Sequence, residues 1–254
     1  MVRLSVCIET IFSELPFIER IKKVSEVGLD AIEFHSWWDK DVEEIKKVSQ
    51  REKIKVATFC TKFESIVDIK KRESFLKGLA ESIQVAKKLD CSQLIAQTGD
   101  ELPNLSRERQ HQQLVEGLKE AADLLESQEI TLLVEPINIV TMPKFYRYYL
   151  SRSDEAFQIM EEVKSSNVKL LYDIAHQQVT EGNLIATIEE NIKRIGHFHV
   201  RDVPGGHEPG TGEINYKNII KRINELGYNG FIGLEYRPLA GSEESLDVFK
   251  DMQG

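Results

Sequence analysis

Two hydrophobic periods take turns along the whole chain. Short apolar runs with period-two or continuous patterning predict strands at 4–9, 31–36, 55–61, 93–98, 131–137, 168–174, 195–202 and 231–236. Between them, apolar residues recur at helical spacing over 15–27, 41–51, 69–89, 106–127, 153–163, 184–194, 216–226 and 243–252. In the first of these Phe17, Ile18, Ile21 and Val24 share one face, and Gly28 supplies the stop. Ser106 is placed to cap the fourth, with Glu108 in the first turn, where the helix dipole favours an acid. Arg109 stands where a capping box would want Glu or Gln, so that start signal is incomplete.

Strict alternation of strand and helix argues for a parallel sheet. Eight β–α units in 254 residues, with no linker or low-complexity tract, match a (β/α)8 TIM barrel built as one domain over residues 1–254. A doubly wound open sheet is the rival. It would need a glycine-rich nucleotide fingerprint after the first strand, where the chain reads SVCIETIFSELP. Its strands would also be unusually polar, since Glu9, Glu33, His35, Glu135, Asp173, His199 and Glu235 all lie in or at the end of one. The barrel is therefore preferred.

A barrel carries its site at the C-terminal ends of its strands. There, apolar runs each end in a charged group: LLVEPIN with Glu135, LLYDIAHQQ with Asp173, HFHVRD with His199 and GLEYRP with Glu235. These four are 38, 26 and 36 residues apart, roughly one β–α unit each, so they reach one level from four consecutive strands. Three carboxylates gathered without a cation repel and raise one another's pKa. An oxygen-rich set with one imidazole suits a divalent ion, Mn²⁺ or Mg²⁺ first, with Co²⁺ or Zn²⁺ also compatible. Taken singly, such a residue is more often a salt-bridge or core group, but four at matching strand ends are hard to explain that way.

Other groups gather around this level. His176 and Arg201 lie just past it and suit substrate contact, and Arg201 or Arg237 suits a substrate carboxylate, which guanidinium binds in a fork. His197, one pleat deeper than His199, reads equally as a supporting or a packing group. Glu33 and His35 share a face of the second strand and either line the opposite wall or form a structural pair. Trp37, Trp38 and the aromatics Phe145, Tyr146, Tyr148 and Tyr149 fit a lid, a subunit contact or core packing. Asn138 and His207 are within reach of the pocket. The stretch 196–216, GHFHVRDVPGGHEPGTGEINY, passes from strand into a Gly/Pro-rich loop, which is the form of a site loop.

Composition narrows the partners. A hydrophobic content of 41% and a charged content of 30% are those of a soluble globular protein, and no apolar run approaches a membrane span. The N-terminal apolar run is broken by Glu9 and Glu14 and does not read as a signal peptide. Cys7, Cys60 and Cys91 are odd in number and lack metal-type spacing, which fits buried thiols in a reducing cytoplasm. The net charge of −9 argues against a nucleic-acid surface and leaves a small-molecule substrate.

The segments LLVEPIN, LLYDIAHQQ, DVPGGHEPGTGEINY and GLEYRP, with SELPFIERI and GLDAIEF near the N-terminus, together resemble the hydroxypyruvate isomerase family, nearly end to end. That family belongs to the xylose-isomerase-like TIM-barrel superfamily, with the tagatose and psicose 3-epimerases. The resemblance implies a (β/α)8 barrel and a divalent metal held by Glu135, Asp173, Glu235 and the position of His199. It also implies that Glu135 and Glu235 are the acid/base pair and that the chain is a homo-oligomer, dimer or tetramer. The isomerases typically have Gln where His199 stands, and His is the wider superfamily's choice. Arg201 and Gly206 also depart from the isomerase pattern.

The resulting expectation is a metal-dependent isomerase of a small hydroxy-carbonyl compound, a hydroxypyruvate-like 2-oxo acid or a ketose. It would act through an enediolate, with two glutamates exchanging the proton. The alternatives are a ketose 3-epimerase, a carbon–oxygen or carbon–carbon lyase on the same scaffold, and a non-catalytic barrel subunit. A nuclease of the trinuclear endonuclease branch would need more than six histidines' worth of ligands and a basic surface.

Overall fold

The computed structural model describes residues 2–141, 143 and 147–249. Eight parallel strands close into a barrel in sequence order: β1 (Arg3–Cys7), β2 (Ala31–Phe34), β3 (Lys55–Cys60), β4 (Gln93–Ala96), β5 (Thr131–Val134), β6 (Val168–Asp173), β7 (Ile195–Val200) and β8 (Phe231–Leu234), with β8 paired back to β1. Closure excludes the open-sheet alternative. The surrounding helices are α1 (Phe17–Glu26), α2 (Val42–Glu52), α3 (Arg72–Lys88), α4 (Arg107–Leu125), α5 (Ser153–Val163), α6 (Ile174–Thr180), α7 (Leu184–Asn191) and α8 (Tyr216–Glu225). Each longer helix buries one stripe against the barrel, as Ile21 and Val24 do on α1 and Ile219, Ile220 and Ile223 on α8. Ser106 caps α4 by accepting from the Arg109 amide, and Asp41 caps α2 by accepting from the Glu44 amide.

The structure departs from the sequence expectation in three respects. Every strand stops one to three residues before its expected C-terminal end. The extra residues keep a strand-like pattern, but their backbone has left the ladder to form the mouth. Helix α6 starts where the sixth strand was expected to continue, because Asp173 ends β6 and caps α6 through the His176 amide at 2.8 Å. The expected final helix opens as a 3₁₀ turn at Glu244–Leu246 and is helical at 248–249, and the rest of its range lies outside the described residues.

The barrel interior is divided. Cys60, Ile95, Leu133 and Leu171, from β3 to β6, form a separate buried apolar cluster. On the opposite side Ser5, Glu33, His197 and His199 are buried together, joined through the Glu33 carboxylate. Side chains two apart on a strand share a face. Glu135 therefore stands above Leu133, Asp173 above Leu171, His199 above His197 and Glu235 above Gly233. Among the described residues no helix is long and apolar enough to cross a membrane, and all three cysteines are free and buried.

Candidate active site and metal centre

Glu135 follows β5, Asp173 ends β6, His199 is the penultimate residue of β7, and Glu235 follows β8. Register sets Asp173 beside His199 and His199 beside Gly233. One ligand atom from each of the four residues lies within 4.8 Å of the others. Asp173 Oδ1 is used by the α6 cap, while the buried Oδ2 has no hydrogen-bond partner; Arg201 approaches it only at 3.5 Å. His199 Nδ1 lies 3.1 Å from Glu235 Oε2, but it is not aligned as a hydrogen bond.

The electrostatics are those of a site short of positive charge. Burial, and then the charge of Glu235, push Glu135 upward, with Asp173 adding to the effect. Glu235 is also pushed up by burial, but His199 and His35 outweigh this and hold it well below the ordinary carboxylate range. A divalent cation among these four groups would relieve the repulsion that raises Glu135 and would engage the two orphaned atoms. The donor set, three carboxylates and one imidazole, fits such an ion.

Above the four lies a cavity of about 280 Å³ lined by His35, Cys60, Phe63, Ile95, Gln97, Glu135, Ile137, His176, His199, Arg201 and Glu235. It is smaller than the grooves at the barrel's other end and flank, but it alone among the described cavities is lined by members of the strand-end quartet, Glu135, His199 and Glu235. On one wall, Asn138 donates its backbone N–H to His176 Nδ1 at 3.1 Å, and Arg201 Nη2 lies 2.6 Å from His176 Nε2. Burial pushes His176 down to about 4, so the ring is neutral near pH 7. A neutral imidazole has only one acceptor nitrogen. Donors thus face both nitrogens, and a ligand oxygen between His176 and Arg201 would resolve the mismatch. On the other wall His35 Nε2 lies 2.7 Å from Glu235 Oε1, and His35 Nδ1 lies 3.1 Å from Glu9 Oε2, which Lys40 also engages through Oε1 at 2.6 Å.

Arg237 is not brought to this cavity. Its side chain is exposed at the surface, and its backbone fastens the loop after β7, with N–H to Gly206 O and C=O to His207 Nδ1. His207 is held by that same contact and does not line the cavity. Asn138 acts on His176 without lining the cavity. Glu33 and His35 are not a pair: Glu33 is buried below the quartet, and His35 reaches up to Glu235. His197 joins Glu33 in that lower layer. Trp37 donates to Ser82 on α3, and Tyr149 is buried with its ring against Arg107. Tyr148 accepts from the Thr98 amide and donates to the Glu135 carbonyl, which fixes the backbone of a site residue. Phe145 and Tyr146 lie outside the described residues.

Gln97 and Phe63 line the cavity without having drawn notice in the sequence, and Cys60, read there only as a buried thiol, lines it too. Gln97 carried a usable signal, a polar residue directly after the apolar run LIA of β4.

The Gly/Pro-rich loop is organised by Asp202. Its fully buried carboxylate accepts from the amides of Val203 (2.9 Å), Gly210 (2.8 Å) and Ile214 (3.1 Å). A Cβ at Gly212 would sit 2.3 Å from the Val203 carbonyl, so only glycine fits that crossing.

A family model described as Xylose isomerase-like TIM barrel matches residues 21–252. The chain belongs to this family. Among its relatives is the hydroxypyruvate isomerase of Escherichia coli K12, 34% identical over 97% of each chain. The 2-oxo-tetronate isomerase of Cupriavidus necator is 28% identical over 100% of each. A crystal structure of a Brucella melitensis protein described as AP endonuclease, family 2, superposes with a TM-score of 0.92 at 29% identity, over 99% of each chain. This xylose isomerase-like barrel thus has isomerases among its full-length relatives, and it presents the strand-end quartet at the mouth where such a barrel carries its chemistry.

Proposed function

We propose that the protein is an isomerase of small hydroxy-carbonyl acids, of the hydroxypyruvate or 2-oxo-tetronate kind, and that it shifts a proton between adjacent carbons. The observation that carries the reading is the pairing of two glutamates with a donor wall. Glu135 and Glu235 stand within one ligand cluster, and His176 and Arg201 line the same cavity. Glu135, Asp173, His199 and Glu235 would hold a divalent ion, Mn²⁺ or Mg²⁺ by their donor set. Such an ion supplies positive charge that polarises a carbonyl and stabilises negative charge as a proton leaves the neighbouring carbon.

The chain's own residues do the rest. Arg201 holds the substrate carboxylate, and His176 meets a substrate hydroxyl or carbonyl oxygen. One glutamate takes the proton from the hydroxyl-bearing carbon. The other returns a proton to the former carbonyl carbon, while the hydroxyl proton passes to the former carbonyl oxygen. His35 and the Glu9–Lys40 pair behind it hold Glu235 in place. The cavity of about 280 Å³ suits a small polar substrate, and the aliphatic wall of Ile95 and Ile137 limits water around the carbanion. Return of the proton to the same carbon would make the reaction an epimerisation, and the wider barrel family's shape is compatible with that as a second reading.

The test is exchange of carbon-bound hydrogen with D₂O, followed by NMR on hydroxypyruvate and 2-oxo-tetronate with and without Mn²⁺. We expect ion-dependent exchange with formation of the isomer, and its loss by a factor of about 10²–10⁴ in Glu135→Gln and Glu235→Gln. Retained turnover in either variant would refute the two-glutamate scheme.

A further inference from the structure

A second buried cluster lies beneath the strand-end quartet, and the proposed reaction does not touch it. Glu33, on β2, is enclosed by protein. Its Oε2 accepts from Ser5 Oγ at 2.9 Å and from His197 Nε2 at 3.0 Å. Its Oε1 lies 3.1 Å from His199 Nε2. The two atoms face each other at that distance without the alignment of a hydrogen bond, and neither is hydrogen-bonded to any other described residue.

Room for the carboxylate exists because residue 233 is glycine. A Cβ there would stand 2.4 Å and 2.5 Å from the two Glu33 oxygens. The β7–β8 register puts Gly233 directly beside His199. Glu33 therefore reaches across the barrel into the space vacated by a β8 side chain and arrives under the imidazole.

The His199 ring thus stands between two carboxylates, with Nε2 toward Glu33 below and Nδ1 toward Glu235 and the quartet above. An imidazole binds a cation through an unprotonated nitrogen, and the partner of the other nitrogen decides which one that is. We infer that Glu33 is a positioning residue: it keeps the His199 proton on Nε2 and so presents Nδ1 as the lone-pair donor to a cation shared with Glu135, Asp173 and Glu235. This rests on the cation reading of the quartet. Glu33, His197 and His199 also bring ligand-type atoms within 4.8 Å of one another, but neither Glu33 nor His197 lines the cavity, and Ser5 and His197 already occupy Oε2.

A Glu33→Gln variant keeps the shape and removes one acceptor. Its amide oxygen serves Ser5 and His197, and its NH₂ then faces His199 Nε2. The ring is driven to accept there and to carry its proton on Nδ1, where the cation should bind.

The test uses the full chain. Mn²⁺ affinity is measured by chelator competition, and the His199 tautomer by ¹⁵N-imidazole NMR of the Mg²⁺-loaded protein. We expect E33Q to bind Mn²⁺ about 10–100-fold more weakly than the wild type. We also expect the wild-type His199 signals to show hydrogen on Nε2 and none on Nδ1. Folded E33Q with Mn²⁺ affinity within twofold of the wild type overturns the inference and leaves the cation reading standing. If E33Q does not fold, the wild-type spectrum decides: hydrogen on Nδ1 of the Mg²⁺-loaded protein overturns it. A wild-type protein that binds no Mn²⁺, or an Asp173→Asn variant that binds it equally well, overturns the cation reading and this inference with it.

Discussion

Gly233→Ala is the smallest change that should disturb the lower layer. Gly233 has ordinary strand φ, so the cost is spatial and not one of backbone conformation. The added methyl would stand 2.4 Å from Glu33 Oε1 and 2.5 Å from Oε2, well inside contact distance. The carboxylate must withdraw, yet it is 2% exposed and has nowhere wet to go. Withdrawal breaks the bonds from Ser5 and His197, at about 1.5–3 kcal/mol each for a charged acceptor. The loss is similar to that of breaking a buried ion pair, about 3–5 kcal/mol. Replacing glycine in a strand returns about 0.5–1 kcal/mol. The net expectation is a loss of about 2–5 kcal/mol. With an unfolding entropy of about 2.1 cal/mol/K per residue, the chain's 254 residues turn this into a fall in Tm of about 4–9 °C. Urea titration and thermal circular dichroism measure it. In a cycle with Glu33→Gln the two costs should fall short of additive by about 1–3 kcal/mol, because both act on the same contacts. Stability within about 0.5 kcal/mol of the wild type, or strict additivity, would refute the reasoning.

Three further outcomes are expected. Arg201→Lys keeps the charge but loses the fork, and should raise KM at least about tenfold for 2-oxo acids while leaving a neutral ketose nearly unaffected; steady-state kinetics on both substrate types decides. Asp202→Asn leaves one of the three loop amides facing an NH₂ group, and should cost about 1–3 kcal/mol and open the segment 203–214 to protease, read by limited proteolysis. Mn²⁺ at about a hundred times its Kd should stabilise the chelator-treated protein by about 2.7 kcal/mol, a rise of about 5 °C in Tm, and the shift should vanish in Asp173→Asn.

The barrel was legible because the hydrophobic period switches cleanly eight times. The strand ends were not, because pattern reports burial and not pairing: Glu135 and Glu235 sit just beyond the last paired residues and still look like strand. The four residues of the quartet could be picked out as charges closing apolar runs, and the structure brings them together. Helix α6 was hidden because Asp173 serves two elements at once, ending a strand and capping a helix. Arg237 followed the same rule as the others, but its position two beyond Glu235 falls where the chain has already turned outward. The Glu33–Gly233 fit has no sequence signal, since a vacancy on β8 and a carboxylate on β2 are related only through barrel closure. The loop after β7, which read as a site loop, is held together by Asp202 and contributes Arg201 at its start.

The divided interior has a consequence for the order of assembly. The apolar half comes from β3 to β6, which are neighbours in sequence and can collapse early on local contacts. The polar half ties β1 and β2 to β7 and β8, through contacts such as Glu33 to His197, 164 residues apart. Contacts of that span form only after the two ends of the barrel meet, because loop closure must come first. A chain emerging from synthesis holds three members of the quartet before β8 exists and the fourth only when the last strand is in place. Under the proposed cation reading, competence to bind the ion would arise only in the finished barrel, and Mn²⁺ uptake during refolding would then time the closing of the seam between β8 and β1.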